Sequence, residues 1–125
     1  MKYLLATAAL LAMIGTASAE SCWNHNGSLM RLEASGHDRT FTYENPRPGM
    51  WGIGVEAGTE LFTGESDGRS YWGTAKVFTP LGERSYQVSG PISNGQKRVT
   101  LYGNTGIVSL DTLVFTYVGQ CRTWD

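Results

Sequence analysis

The sequence predicts an all-β fold, a small antiparallel β-barrel of about eight short strands, with a two-sheet sandwich as the alternative. Three observations lead there. Apolar and polar residues alternate in short runs, turn signals interrupt those runs every ~8–12 residues, and the only two cysteines, Cys22 and Cys121, stand near the two ends of the Gly-rich part of the chain.

Of the 125 residues, 1–19 read as a secretory signal peptide. Lys2 supplies the positive start, Tyr3 to Ile14 is mostly apolar, and Ala17-Ser18-Ala19 has the small-x-small cleavage pattern. Residues 20–125 then form a single β domain, too short for a second core. An exported chain with two cysteines is expected to join them, and closing a loop of ~100 residues is worth on the order of 4–5 kcal/mol in the chain-entropy model. The competing reading, a lipid-anchored Cys22, suffers from Glu20 standing where a lipoprotein signal wants a small residue. A Cys22–Cys121 disulfide also requires the first and last elements to lie side by side.

The strands follow in order. Leu29–Ala34 alternates Met30, Leu32 and Ala34 against Arg31 and Glu33, and after the turn Ser35–Asp38 the run Arg39–Glu44 places Phe41 and Tyr43 on one face. These two make a hairpin. Asn45-Pro46-Arg47-Pro48-Gly49 is a stiff loop, because proline has no donor for a ladder and restricts the residue before it. Met50–Val55 reads as a glycine-interrupted strand, and Thr59–Thr63 as another. In Ser70–Thr79, Trp72, Thr74, Lys76 and Phe78 oppose Tyr71, Gly73, Ala75 and Val77; the small Gly73/Ala75 face, with Val77 beside it, is expected to be the inner one, and whether Trp72 or Tyr71 faces solvent stays open at this point. Arg84–Ser89 points Tyr86 and Val88 inward; Asn94-Gly95 is a hairpin signal; Arg98–Tyr102 points Val99 and Leu101 inward. Ile107–Leu110 and Leu113–Val118 end the series, the latter with Leu113, Phe115 and Tyr117 on one face. Tying the last strand to the first removes both open edges, which favours closure.

Charge excludes one class of partner. Ten Lys/Arg stand against eleven Asp/Glu, one of the ten being Lys2, with the signs mixed along the chain. Nucleic acid, whose binding draws on many cation–phosphate contacts, is not an expected partner. No apolar run after the leader is long enough to span a bilayer as a helix, so a soluble periplasmic or secreted product is expected.

Motifs for chemistry are few. Gly64-Glu65-Ser66-Asp67-Gly68 matches the G-x-S-x-G string, but no helix pattern follows and no histidine occurs after His37, so it reads as a turn. His25 and His37 read as exposed loop residues without zinc spacing. Glu56, Glu60, Glu65 and Asp67 do not select a carboxylate pair. No cofactor and no metal are expected, and the chain does not read as an enzyme. The suggestive feature is aromatic. Trp23 and Trp124 stand within three residues of a cysteine and are expected to cap the seam, whereas Trp51 and an outward Trp72, with Pro46 and Arg47 of the stiff loop, are the candidate binding surface.

The segments Trp23–Ser28, Tyr43–Met50 and Tyr71–Ala75 together resemble small exported proteins of alpha-proteobacteria, a likeness that spans most of residues 20–125 and implies export but no activity. A looser likeness to periplasmic lysozyme-inhibitor barrels rests on size, export, a disulfide and β content, and transfers no inhibitory residue. The expected function is an exported, soluble binding module for an envelope protein or glycan. The alternatives are a periplasmic inhibitor or structural protein and a small hydrolase.

Overall fold

The computed structural model describes residues 19–106 and 111–121. The leader apart from Ala19, the expected strand Ile107–Leu110 and Trp124 lie outside the described residues. Eight strands run up and down in sequence: β1 (Ala19–His25), β2 (Ser28–Ser35), β3 (Asp38–Asn45), β4 (Glu60–Ser66), β5 (Ser70–Thr79), β6 (Gly82–Ser93), β7 (Arg98–Gly103) and β8 (Thr112–Gly119). Every neighbouring pair is antiparallel and β1 closes onto β8, so the sheet is a barrel and not a sandwich.

Closure depends on the ends of the chain. Trp23 lies opposite Tyr117 and Asn24 opposite Thr116 across the β1–β8 seam, and the Cys22–Cys121 disulfide ties β1 to the residues just beyond β8. Trp23 is buried and packs edge-on against Tyr117, ring centroids 5.5 Å apart, so it seals this seam from inside. The turns 26–27 and 80–81, the loop 46–59 and the connection after Gly103 share one end of the barrel, the loop end. The opposite end carries the turns 36–37, 67–69 and 94–97.

Aromatic rings fill the interior. Phe41 lies in the middle, stacked on Phe115 with centroids 4.0 Å apart and planes 7° inclined, and it also meets Trp23, Phe62 and Tyr71. The inward positions read from the alternation are buried: Met30, Leu32, Tyr71, Ala75, Val99 and Leu101 among them. Between β4 and β5 the facing residues Gly64 and Gly73 let the backbones approach so closely that a Cβ on Gly64 would stand 2.1 Å from the Trp72 carbonyl oxygen. The outer face carries Arg31, Glu33, Thr63, Glu65 and Gln87, with the exposed Trp72, Tyr102, Val114 and Val118 among them. No helix among the described residues is long and apolar enough to cross a membrane.

Two departures from the expected elements matter. Met50–Val55 is not a strand: Met50–Ile53 is a single 3-10 turn, flanked by Gly49 and Gly54 in the left-handed region (φ 95° and 85°). Met50 and Val55 are buried while Trp51 between them points out, which breaks the two-residue period. The two glycines turn the chain where a strand would run straight. β1 was not among the expected strands. Its signal is Asn26-Gly27, a two-residue hairpin turn (φ 51° and 87°) that joins His25 to Ser28.

Candidate functional site

The loop 46–59 is fixed to the barrel over its length. Its start is held by the Arg47 amide, which donates to the buried Ser28 hydroxyl (2.9 Å). The 3-10 turn closes through Val55 N–H to the Met50 carbonyl (3.1 Å) and Gly54 N–H to that of Trp51 (3.1 Å). At its end the Gly58 amide donates to the Tyr43 carbonyl (2.7 Å), and the Tyr43 amide donates to the Thr59 carbonyl (2.9 Å). Met50 and Val55 plug into the core beneath. On this support Trp51 is 80% exposed. It stands as a ridge between two hollows, one lined by Glu44, Pro46 and Glu56 and the other by Leu29, Arg47 and Pro48.

Three of the four expected surface residues therefore come together: Pro46, Arg47 and Trp51 share the loop end. Trp72 does not join them. It lies on β5 opposite Glu65 of β4 and Ser89 of β6, close to the 67–69 turn at the other end of the barrel. There Trp72 is 41% exposed, with Tyr71 buried on the inner face. Ser89 in turn faces Tyr102 of β7, itself exposed, so Trp72, Ser89 and Tyr102 form one outward row across three strands. Tyr102 escaped the sequence reading, although as the residue after inward Leu101 its outward direction follows from the alternation.

A second feature of the loop end is the barrel mouth, a cleft of about 130 Å³ lined by His25, Tyr43, Arg47, Met50, Leu61 and Leu113, among others. His25 corrects the expectation of an exposed loop histidine: it is only 6% exposed. It is the last residue of β1, two on from the inward Trp23, and a period of two carries it inside. Its ring stacks on Phe115, and its Nδ1 lies 3.0 Å from the Val114 carbonyl oxygen. A carbonyl only accepts, so Nδ1 carries the proton and neutral His25 turns an unprotonated Nε2 away from that bond. Desolvation lowers its pKa, the Val114 hydrogen bond opposes this, and the Arg47 charge adds to the lowering. Tyr43, 3% exposed, has its phenol pushed up to about 12 by burial, with Arg47 acting against that rise.

No protein family, curated protein or solved structure matches the chain.

The remaining expected motifs are structural. Ser66 ends β4, and its hydroxyl accepts from the Gly68 amide (3.0 Å) while Asp67 Oδ1 accepts from the Arg69 and Ser70 amides (2.8 and 2.9 Å). These bonds hold the Asp67 carboxyl below its ordinary range, and the G-x-S-x-G string is a strand-joining turn. His37 is exposed beside that turn, its Nδ1 3.2 Å from the Ser66 carbonyl oxygen. Among the described residues no three His, Cys, Asp or Glu gather as metal ligands.

Proposed function

We propose that the domain is a binding module that presents Trp51, flanked by Pro46 and Arg47, to a protein partner, and that it is exported to the periplasm or beyond. One observation carries the reading: Trp51 is 80% exposed on a backbone tied down on both sides. Tryptophan and arginine dominate interface energetics, and an anchor already held in place loses little conformational freedom on binding. A large aromatic left in water on a rigid support has no use in the fold itself. Export is supported by the leader-like residues 1–19. The reading assigns no catalysis to the domain; a partner that is an enzyme would make the module an inhibitor.

A second reading, glycan binding, is favoured by the outward row Trp72, Ser89 and Tyr102, in which two rings flank a small polar residue. Aromatic faces of this kind stack on the apolar faces of sugars.

A photo-crosslinking residue placed at position 51, and separately at 72, in the full chain within its native host separates the two. A discrete protein adduct from position 51, competed away by unlabelled wild type but not by Trp51→Ala, supports the first reading. A glycan-array signal lost in Trp72→Ala and Tyr102→Ala supports the second. No adduct and no glycan signal would overturn both.

A further inference from the structure

The barrel mouth brings His25, Tyr43 and Arg47 to one cleft, and of these the proposed Trp51 surface uses Arg47 alone. His25 is stacked and hydrogen-bonded on one side only, and among the described residues nothing partners its Nε2 or the Tyr43 hydroxyl. No side-chain nitrogen or oxygen sealed from solvent lacks a partner among those residues. Both groups line the cleft, so the cleft is where they meet solvent. Arg47 stands at the rim. Lys76, also on the rim, has Glu83 at 3.5 Å, whereas Arg47 has no carboxylate partner among the described residues. Met50, Ile53, Leu61, Val77 and Leu113 supply apolar wall.

This set of groups is selective. A guanidinium calls for an anion and matches a carboxylate with two parallel bonds. The Tyr43 phenol keeps its proton and donates. Asn26, Lys76, Tyr86 and Thr112 also line the cleft, yet among the described residues none donates to the Nε2 lone pair; a bare carboxylate would repel it, while a hydroxyl beside the carboxylate would satisfy it. The cleft is small, about 130 Å³, and opens to solvent beside Arg47, so it suits a small ligand whose charged end stays at the mouth. We infer that the barrel mouth is a binding site for a small aliphatic 2-hydroxycarboxylate, its carboxylate on Arg47 and Tyr43, its hydroxyl donating to His25 Nε2, and its alkyl end against Met50, Leu61 and Leu113. The site shares Arg47 with the proposed Trp51 surface, but a titration with small molecules reads the cleft alone, so its failure is distinguishable from a failure of partner binding at Trp51.

Three isosteric probes test the assignment on the full chain by amide-resonance titration: 2-hydroxybutyrate, butyrate without the hydroxyl, and 2-hydroxybutyramide without the charge. The expected result is saturable shifts in the amides around Met50, Ile53 and Leu113 with 2-hydroxybutyrate, and binding roughly tenfold weaker for each of the others, the loss one hydrogen bond or charge contact brings. Arg47→Gln, at an exposed position, is expected to abolish the preference for 2-hydroxybutyrate over its amide while leaving the folded spectrum intact. His25→Phe should abolish the preference over butyrate; if that variant fails to fold, the wild-type comparison of the two acids decides the same point. Absence of saturable shifts with 2-hydroxybutyrate, equal binding of the three probes, or an unchanged preference in Arg47→Gln overturns the proposal.

Discussion

The imidazole of His25 lies on the ring of Phe115, centroids 4.7 Å apart and planes 23° inclined, and Phe115 lies in turn on Phe41. A titratable ring thus forms the outermost layer of the aromatic stack that fills the barrel. Charging it places a cation against the core, beside Arg47.

The first prediction follows from that position. Burial lowers the folded-state pKa of His25 below its ordinary 6.5, so the unfolded chain takes up the proton first. The unfolded state then binds more protons, and stability rises with pH through this range. The contribution is complete above about pH 6.5 and is lost as the pH falls from there toward the folded value. Urea midpoints measured at half-unit intervals from pH 8 to 5 should decline over the acidic half. In His25→Gln the decline should vanish, apart from a constant offset. A wild-type midpoint that is flat down to pH 5 contradicts it. Below that window a second loss is expected, because Asp67 and Asp111 both titrate below their ordinary 3.8 through hydrogen bonds they accept in the fold.

Gly64 and Gly73 set the second. A Cβ on Gly64 meets the Trp72 carbonyl oxygen at 2.1 Å and the Phe62 ring at 2.7 Å, and one on Gly90 meets the Thr100 carbonyl oxygen at 1.7 Å. Backbone atoms of a closed barrel have nowhere to retreat. Gly64→Ala and Gly90→Ala should each cost about 3 kcal/mol or more, through forced strand displacement. Gly36→Ala is the control for a surface turn: its Cβ meets nothing within 4 Å, and the cost there comes only from the positive φ of 59°. Chemical denaturation of the three variants gives the ranking.

The third concerns the seam. The Cys22–Cys121 bond spans 99 positions, and removing it restores nearly all of the chain's freedom when unfolded. Cys22→Ser with Cys121→Ser should lose about 4 kcal/mol, most of the stability of a domain this small. The amides of the β1–β8 seam, those of the Asn24–Thr116 pair in particular, should lose hydrogen-exchange protection before the β2–β3 amides do. Uniform loss across the barrel would show that the seam is not a separate unit.

Much of this fold was legible because its strands alternate cleanly. Met30 and Leu32, Phe41 and Tyr43, Val99 and Leu101 each repeat at period two, and the cysteine positions dictated that the ends meet. The Met50–Val55 segment misled because Trp51, Ile53 and Val55 mimic that period, while the left-handed glycines that bend the chain there carry no hydrophobic signal. His25 was misread through its polar neighbours Asn24 and Asn26. Its inward direction is a property of register with Trp23, which becomes visible only once Asn26-Gly27 is seen as a hairpin turn. The candidate surface was half legible: residue type singled out Trp51 and Trp72, but which of Tyr71 and Trp72 faces out, and the separation of the two tryptophans at opposite barrel ends, depend on register and strand direction. The cleft was not legible, because His25, Tyr43 and Arg47 come from two strands and a loop and share no local pattern.

The fourth prediction is that binding and folding separate at Trp51. Its side chain is mostly in water, and the bonds that fix its loop run through backbone groups of Met50, Gly54 and Val55 and through Ser28. Trp51→Ala should therefore change stability by no more than about 0.5 kcal/mol, as for a surface substitution free of special contacts. Phe41→Ala, which empties the middle of the aromatic stack, should cost about 4 kcal/mol. The pair brackets the role of the loop end. If Trp51→Ala lowers the denaturation midpoint as Phe41→Ala does, the ring supports the fold and its exposure is no sign of a partner. If the midpoint holds while partner capture falls tenfold or more, the tryptophan is kept in water for what it meets there.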